Sequence, residues 1–306
     1  MDEGNGPADA RAREGMITPR PLAVGPVTAA ADLSRLPAPL VVADVRWYLD
    51  GRDGRAAFEE CHVPEAVWVD LDRDLAAHGL PPTAGRHPLP EPVAFAAAMT
   101  ALGIGDDTTV VAYDDTGGLS AGRLVVMLRS IGRKATLLDG GLAAWRADGR
   151  PTQSGPAAAS RAAVFTPAPW PDAAYASVDE VAARAAQPAS SRPLIDARAF
   201  ERFTGDVAVI DPRPGHIPGA HNSPWNSVLG ADGRLRPPSE LRAHYAALGI
   251  DTSTAANTIA YCGSGVSACM NVLAMEHAGL TPARLFVASW SGWASDPERP
   301  AALGPA

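Results

Sequence analysis

Cys262 lies in the run NTIAYCGSGVSACMNVLAMEHAGL, residues 257–280, where an apolar segment (TIAY) meets a loop with two glycines. A helical segment with an apolar face then starts near Ser267 and stops at Gly279. This order puts the thiol at the C-terminal end of a parallel strand and ahead of a helix N-terminus, the edge where open α/β sheets bind ligands. Gly263 and Gly265 leave the loop free to curl, so its amides can turn inward as an anion nest backed by the helix dipole. Such a nest favours an anionic sulfur, whether thiolate or persulfide. Most free cysteines are small buried hydrophobes, and the loop alone leaves that alternative open. Cysteine-phosphatase chemistry is disfavoured, because the arginine that would grip a phosphate is replaced by Ala268.

Composition narrows the partners. Lys plus Arg total 26 against 34 Asp plus Glu, a formal charge of −8, which argues against nucleic acid and anionic membranes as partners. Small molecules or proteins fit better. Lys134 is the one lysine and has no glycine-rich context, which sets aside Schiff-base and phosphate-loop readings. Cys61, Cys262 and Cys269 contain no C-x-x-C pair, so neither a disulfide framework nor a metal site is expected. With no secretory h-region and no run near the ~18 apolar residues of a membrane span, a cytoplasmic protein is expected. Residues 1–25 are expected to be disordered.

The elements that must position Cys262 recur. LVVADVR, CHVPEA, ALGIGDDTTVVAYD and LLDGGLAAW in the first half match PLIDAR, GHIPGA, ALGIDTSTAANTIAYC and LFVASWSGW in the second. Asp44 and Asp196 are 196 − 44 = 152 residues apart, Asp114 and Cys262 are 262 − 114 = 148 apart, and Trp145 and Trp293 are 293 − 145 = 148 apart. A duplicated domain is the simplest reading. Short Val/Ile/Leu runs alternate with longer helical segments, the pattern of βα units on a parallel sheet buried on both faces. Ser177 with Glu180 forms a capping box, and Ser239 is expected to cap a helix ahead of LRAHYAAL. The expected layout is a first domain over 26–153, a Pro- and Ala-rich linker over 154–176, and a second domain over 177–306.

CGSGVSA, GHIPGA, LIDAR, VASWSGW and DGGLAAW together resemble the tandem-domain rhodanese family, specifically its 3-mercaptopyruvate and thiosulfate sulfurtransferase members, from about Leu40 onward. The resemblance implies an α/β fold of two tandem rhodanese-like domains, each a parallel sheet with helices on both faces. Only the second would be catalytic, because Asp114 stands where the first would need its thiol. It further implies that Cys262 carries the transferred sulfur as a persulfide, with Gly263, Ser264, Gly265, Val266, Ser267 and Ala268 supplying the loop. Ser264 would relay a proton to the leaving group, supported by His62 with Asp53 as its acidic partner. Arg202 would bind the donor carboxylate. Arg213 is the candidate for a second such arginine, although it stands off the family's usual spacing, and Arg198 would brace the loop against an acid.

The activity implied is transfer of sulfane sulfur from 3-mercaptopyruvate to a thiol, cyanide or a protein acceptor, without metal or organic cofactor. Alternatives are thiosulfate as donor, or a non-catalytic persulfide relay module. CGSGVSA has no cation where the thiosulfate branch has the basic CRKGVTA, which favours a donor with one carboxylate. His216 is expected to satisfy a buried backbone group, Trp290 and Trp293 to be core, and Cys61 and Cys269 to be unreactive. Glu201, Glu65 and Gly292 depart from the family pattern.

Overall fold

The computed structural model describes residues 24–157, 161–186, 192–208 and 210–305. The N-terminal segment expected to be disordered lies outside the described residues as far as residue 23, as do residues 158–160 of the expected linker.

In the first half the elements are β1 (Val27–Thr28), β2 (Leu40–Asp44), α1 (Gly54–Glu60), β3 (Val67–Trp68), α2 (Leu71–Leu75), α3 (Pro92–Ala101), β4 (Thr109–Tyr113), α4 (Ala121–Ser130), β5 (Ala135–Leu138) and α5 (Gly141–Ala147). The strands pair in parallel in the order β1-β5-β4-β2-β3. In the second half come α6 (Val178–Ala185), β6 (Leu194–Asp196), α7 (Phe200–Thr204), β7 (Ala220–Asn222), α8 (Pro238–Ala247), β8 (Ile259–Tyr261), α9 (Cys269–His277), β9 (Arg284–Leu285) and α10 (Ser289–Ala294). Their parallel order is β7-β6-β8-β9. Every residue of β4 and of β8 is buried, as the uninterrupted apolar runs require of strands covered on both faces.

Side-chain caps open α1, α2 and α6. At α6, Ser177 Oγ accepts from the Glu180 N–H and the Glu180 carboxylate accepts from the Ser177 N–H, completing the capping box. At α8 the expectation fails: Pro238 occupies the first helical turn and no side chain caps it, so Ser239 lies inside the helix. The 154–176 segment is packed over its later part. Phe165 meets Phe95 edge-on, Trp170 lies tilted against Phe95 and edge-on to Tyr175, and Tyr175 bridges β9.

Helices α4 and α9, each following the loop at the end of a central strand, pack against each other across the two halves. Gly122 lies at the contact, where a Cβ would be at van der Waals distance (3.4–3.6 Å) from Cys269, Met270 and Leu273 of α9. One apolar core runs continuously through both halves and includes Leu124, Met127, Met270 and Leu273.

Candidate active site

β8 delivers Cys262 to the floor of a cleft of about 430 Å³ between the halves. The first half contributes Trp47, Tyr48, Asp50, Arg52 and Arg86, and the second contributes Arg198, Arg202, Trp225, residues 262–264, Val266 and Ser267. The backbone around the thiol is pinned from the α10 side. Trp290 N–H donates to the Cys262 carbonyl (2.9 Å), Ser291 N–H to that of Gly263 (2.9 Å), and Cys262 N–H to Ser289 Oγ (3.1 Å). Ser289 holds φ at 52°, a left-handed conformation uncommon outside glycine, and its hydroxyl also donates to Phe286 O. The matching residue in the first half is Gly141, also at positive φ.

None of the six amides from Gly263 to Ala268 donates a hydrogen bond among the described residues. Six free donors on one short loop require an external acceptor or water. The first half shows what such a loop does when it is filled. There Asp114 takes the place of Cys262, and its carboxylate accepts from the N–H groups of Thr116 (2.9 Å), Gly118 (2.7 Å), Ser120 (2.9 Å) and Ala121 (2.9 Å), and from Ser120 Oγ (3.1 Å). The first loop is an anion nest closed by its own side chain, and in the second half the Cys262 thiol stands at the position of that carboxylate, ahead of amides that donate no hydrogen bond among the described residues.

Two guanidinium groups converge on this loop. A Cβ on Gly263 would lie 2.8 Å from Arg202 Nη2 and 2.8 Å from Arg86 Nη2. Arg202 is held by Asp211 through Nε (2.9 Å) and Nη2 (2.7 Å). Arg86 Nη1 donates to Ile210 O (2.8 Å) and its N–H to Ser291 Oγ (3.1 Å). Burial pulls the Arg86 guanidinium below its usual range, and Asp211 opposes that shift. Arg198 pairs with Asp196 (2.6 Å) and donates to Gly215 O (2.8 Å), bracing the strand end as expected. The loop itself carries no cation, and the two that meet it come from other elements. Gly263 is small because two guanidinium groups occupy the space of a side chain.

Cys262, Ser264, Gly263, Val266, Ser267 and Arg202 all line the cleft. Gly265 and Ala268 act behind it. Gly265 backs onto Val287, where a Cβ would meet the Val287 carbonyl at 2.5 Å, and Ala268 precedes α9.

Three assignments are corrected. His62 is not at the cleft: its Nδ1 bonds Phe58 O (2.8 Å) and its ring stacks on Phe58, as His216 does on Phe203. Asp53 is the exposed N-cap of α1, accepting from Arg55 and Ala56 N–H. Arg213 lies over the Trp290 ring and donates to the Asp296 and Arg299 carbonyls, away from the cleft.

A second histidine–acid pair, His87 and Asp72, lies behind Trp47 of the cleft wall, the His87 ring meeting the Trp47 ring edge-on with centroids 5.4 Å apart. His87 Nε2 bonds Asp72 Oδ1 (3.0 Å), and Trp47 Nε1 donates to Asp72 Oδ2 (3.0 Å). Hydrogen bonding from His87 above all, with Trp47 adding, holds the Asp72 carboxyl below its usual range. The Asp72 carboxylate accepts from Nε2, and Nδ1 is buried without a partner among the described residues. Arg123 ties the His87 backbone to the loop, donating from Nη1 to Gly265 O (3.0 Å) and from Nη2 to His87 O (3.1 Å).

A family model described as the rhodanese-like domain matches residues 30–148 and 177–296. The chain belongs to the rhodanese family. It is 41% identical over 285 residues to a Pseudomonas aeruginosa protein named "Probable 3-mercaptopyruvate sulfurtransferase", covering 91% of this chain and 98% of that one. To a Mycobacterium tuberculosis protein provisionally named thiosulfate sulfurtransferase SseB it is 39% identical, covering 88% and 92%. The crystal structure of the 3-mercaptopyruvate sulfurtransferase SseA from Escherichia coli matches with a TM-score of 0.74 at 31% identity, covering 87% of this chain and 99% of that one. This rhodanese is a sulfurtransferase with two tandem domains.

Proposed function

We propose that this rhodanese takes sulfur from 3-mercaptopyruvate onto Cys262 and passes it to a thiol, cyanide or a protein acceptor. The carrying observation is the pair of Nη2 groups from Arg86 and Arg202 flanking Gly263, one residue from the thiol and beside the open amides. The donor carboxylate bridges the two guanidinium groups, which brings its sulfur to Cys262. The thiolate attacks that sulfur. The S–C bond breaks as the S–S bond forms, the electron pair passes to the pyruvate enolate, and the donor's thiol proton ends on the enolate carbon. The persulfide that remains is anionic and sits in the nest. Ser264 is the relay for the proton, and His87 with Asp72 is the pair available to support it.

Thiosulfate is the second reading, favoured by the two guanidinium groups and by the name of the M. tuberculosis relative. Pyruvate release from mercaptopyruvate and thiocyanate formation from thiosulfate, each with cyanide as acceptor, separate the two. The expected kcat/KM is at least about tenfold higher for mercaptopyruvate, ~1.4 kcal/mol of differential transition-state binding. A preference for thiosulfate replaces the first reading with the second, and turnover of neither donor leaves a relay module.

A further inference from the structure

Asp211 has no role in the proton or sulfur movements above, yet it is the centre of the arginine cluster. Its side chain is 1% exposed. Arg202 holds it through two hydrogen bonds (2.9 and 2.7 Å), Arg198 Nη1 lies 3.3 Å from Oδ2, and Arg86 Nη1 lies 3.8 Å from Oδ1. Asp196 engages the other side of Arg198. Three guanidinium groups against two carboxylates leave a formal charge of 3 − 2 = +1 on the cleft wall beside Cys262. The other charged pair on the cleft lining, Asp50 with Arg52 (3.0 Å), cancels itself.

Once the attacking Cys262 thiolate is counted, wall and nucleophile together are formally neutral (1 − 1 = 0). Each further negative charge on the donor is then unfavourable, so a compact dianion is accepted less well than a donor with one carboxylate.

We propose that Asp211 is a specificity-determining residue: by orienting Arg202 and cancelling one of three guanidinium charges, it sets the cleft to accept a monoanionic sulfur donor over thiosulfate. The proposal rests on the reading of Arg86 and Arg202 as donor-binding groups. Its physical basis is the different response of the two donors to one unit of charge. A positive charge added to a partly desolvated wall acts on two negative charges in thiosulfate and on one in mercaptopyruvate. Losing the Asp211 carboxylate also frees Arg202 from the orientation that aims Nη2 at Gly263, which harms a bridging carboxylate more than a tetrahedral anion that accepts hydrogen bonds from any side.

The test is the ratio of kcat/KM for mercaptopyruvate to that for thiosulfate, with cyanide as the common acceptor, in wild type, Asp211→Asn and Asp211→Glu. Both donors are assayed on one preparation, so a reduced folded fraction cancels from the ratio. Asp211→Asn is expected to lower the ratio at least tenfold, with KM for thiosulfate falling several-fold. Asp211→Glu keeps the charge and is expected to stay within threefold of wild type. If Asp211→Asn does not accumulate as folded protein, Asp211→Ser, which admits water between the guanidinium groups, carries the same expectation. An unchanged ratio in Asp211→Asn or Asp211→Ser overturns the proposal, as does a loss of kcat equal for both donors. Arg86→Ala and Arg202→Ala separate the two levels. If neither raises KM for either donor, the donor-binding reading fails; if they raise it while the Asp211 variants leave the ratio fixed, only the role of Asp211 fails.

Discussion

Sulfur transfer needs a thiol that meets the donor, and of the three cysteines it is Cys262 that lines the cleft. Burial pushes the Cys269 thiol up to about 12, and its Sγ faces Gly265 O (3.6 Å), so it is protonated and enclosed at neutral pH. Mass spectrometry after donor treatment should therefore find ~32 Da, one sulfur atom, on Cys262 alone. Cys262→Ser should lose turnover while Cys269→Ser keeps it; a label on Cys61 or Cys269 would reassign the carrier. The histidine assignment is tested the same way. His87→Asn should lower kcat about 10²-fold or more, the low end of general acid–base contributions, with little change in KM, whereas His62→Asn should act on stability. The sequence misled here for a physical reason: His62 and His216 share one repeat position, and a residue doing the same task in both halves is bracing the shared fold. Equal Nδ1 bonds to Phe58 and Phe203 carbonyls show that task.

At the scale of the element, strand, loop and helix form one unit used twice with opposite fillings. The strands and the Cys262 loop were legible, because uninterrupted Val/Ile/Ala runs and paired glycines specify buried strands and curled loops locally. What the Asp114 loop does was not, since one carboxylate gathering four amides and a hydroxyl depends on the loop closing over it. Asp114→Asn tests that closure. An amide side chain offers one acceptor oxygen, so the N–H groups now on Oδ2, from Ser120 and Ala121, lose theirs. Buried orphaned donors cost ~1–3 kcal/mol each, and loss of charge near the start of α4 adds a few tenths or more. Thermal or urea denaturation should show a loss of about 2–4 kcal/mol with KM for the donor unchanged. A neutral effect on stability would mean that the carboxylate is not holding the loop.

At the scale of the molecule, each half reaches into the other. Gly85–Arg86 and Gly233–Arg234 are 233 − 85 = 148 residues apart, the same offset as Asp114 and Cys262, and that repeat was the available signal for Arg86. Arg86 crosses to the open nest, and Arg234 crosses the opposite way to Asp148 (3.1 Å) and the Asp139 carbonyl. Gly292, which departs from the family pattern, explains the close approach: a Cβ there would sit 2.6 Å from Thr83 O, in the turn that carries Arg86. The active site therefore exists only while the halves stay docked, and Arg123 is the buried strut between them. From α4 it donates to Gly265 O in the second half and to His87 O and Leu75 O (3.4 Å) in the first. Arg123→Gln cannot span these carbonyls, and each buried carbonyl left without its donor costs ~1–3 kcal/mol. Because the core is continuous across both halves, calorimetry should show one transition moved to lower temperature rather than two separated ones. Turnover should fall at least tenfold at temperatures where the variant is fully folded, since His87 and the Cys262 loop lose their common tether. Two resolved transitions in the wild type, or a destabilised variant with unchanged kcat, would show that the halves hold the site together without this arginine.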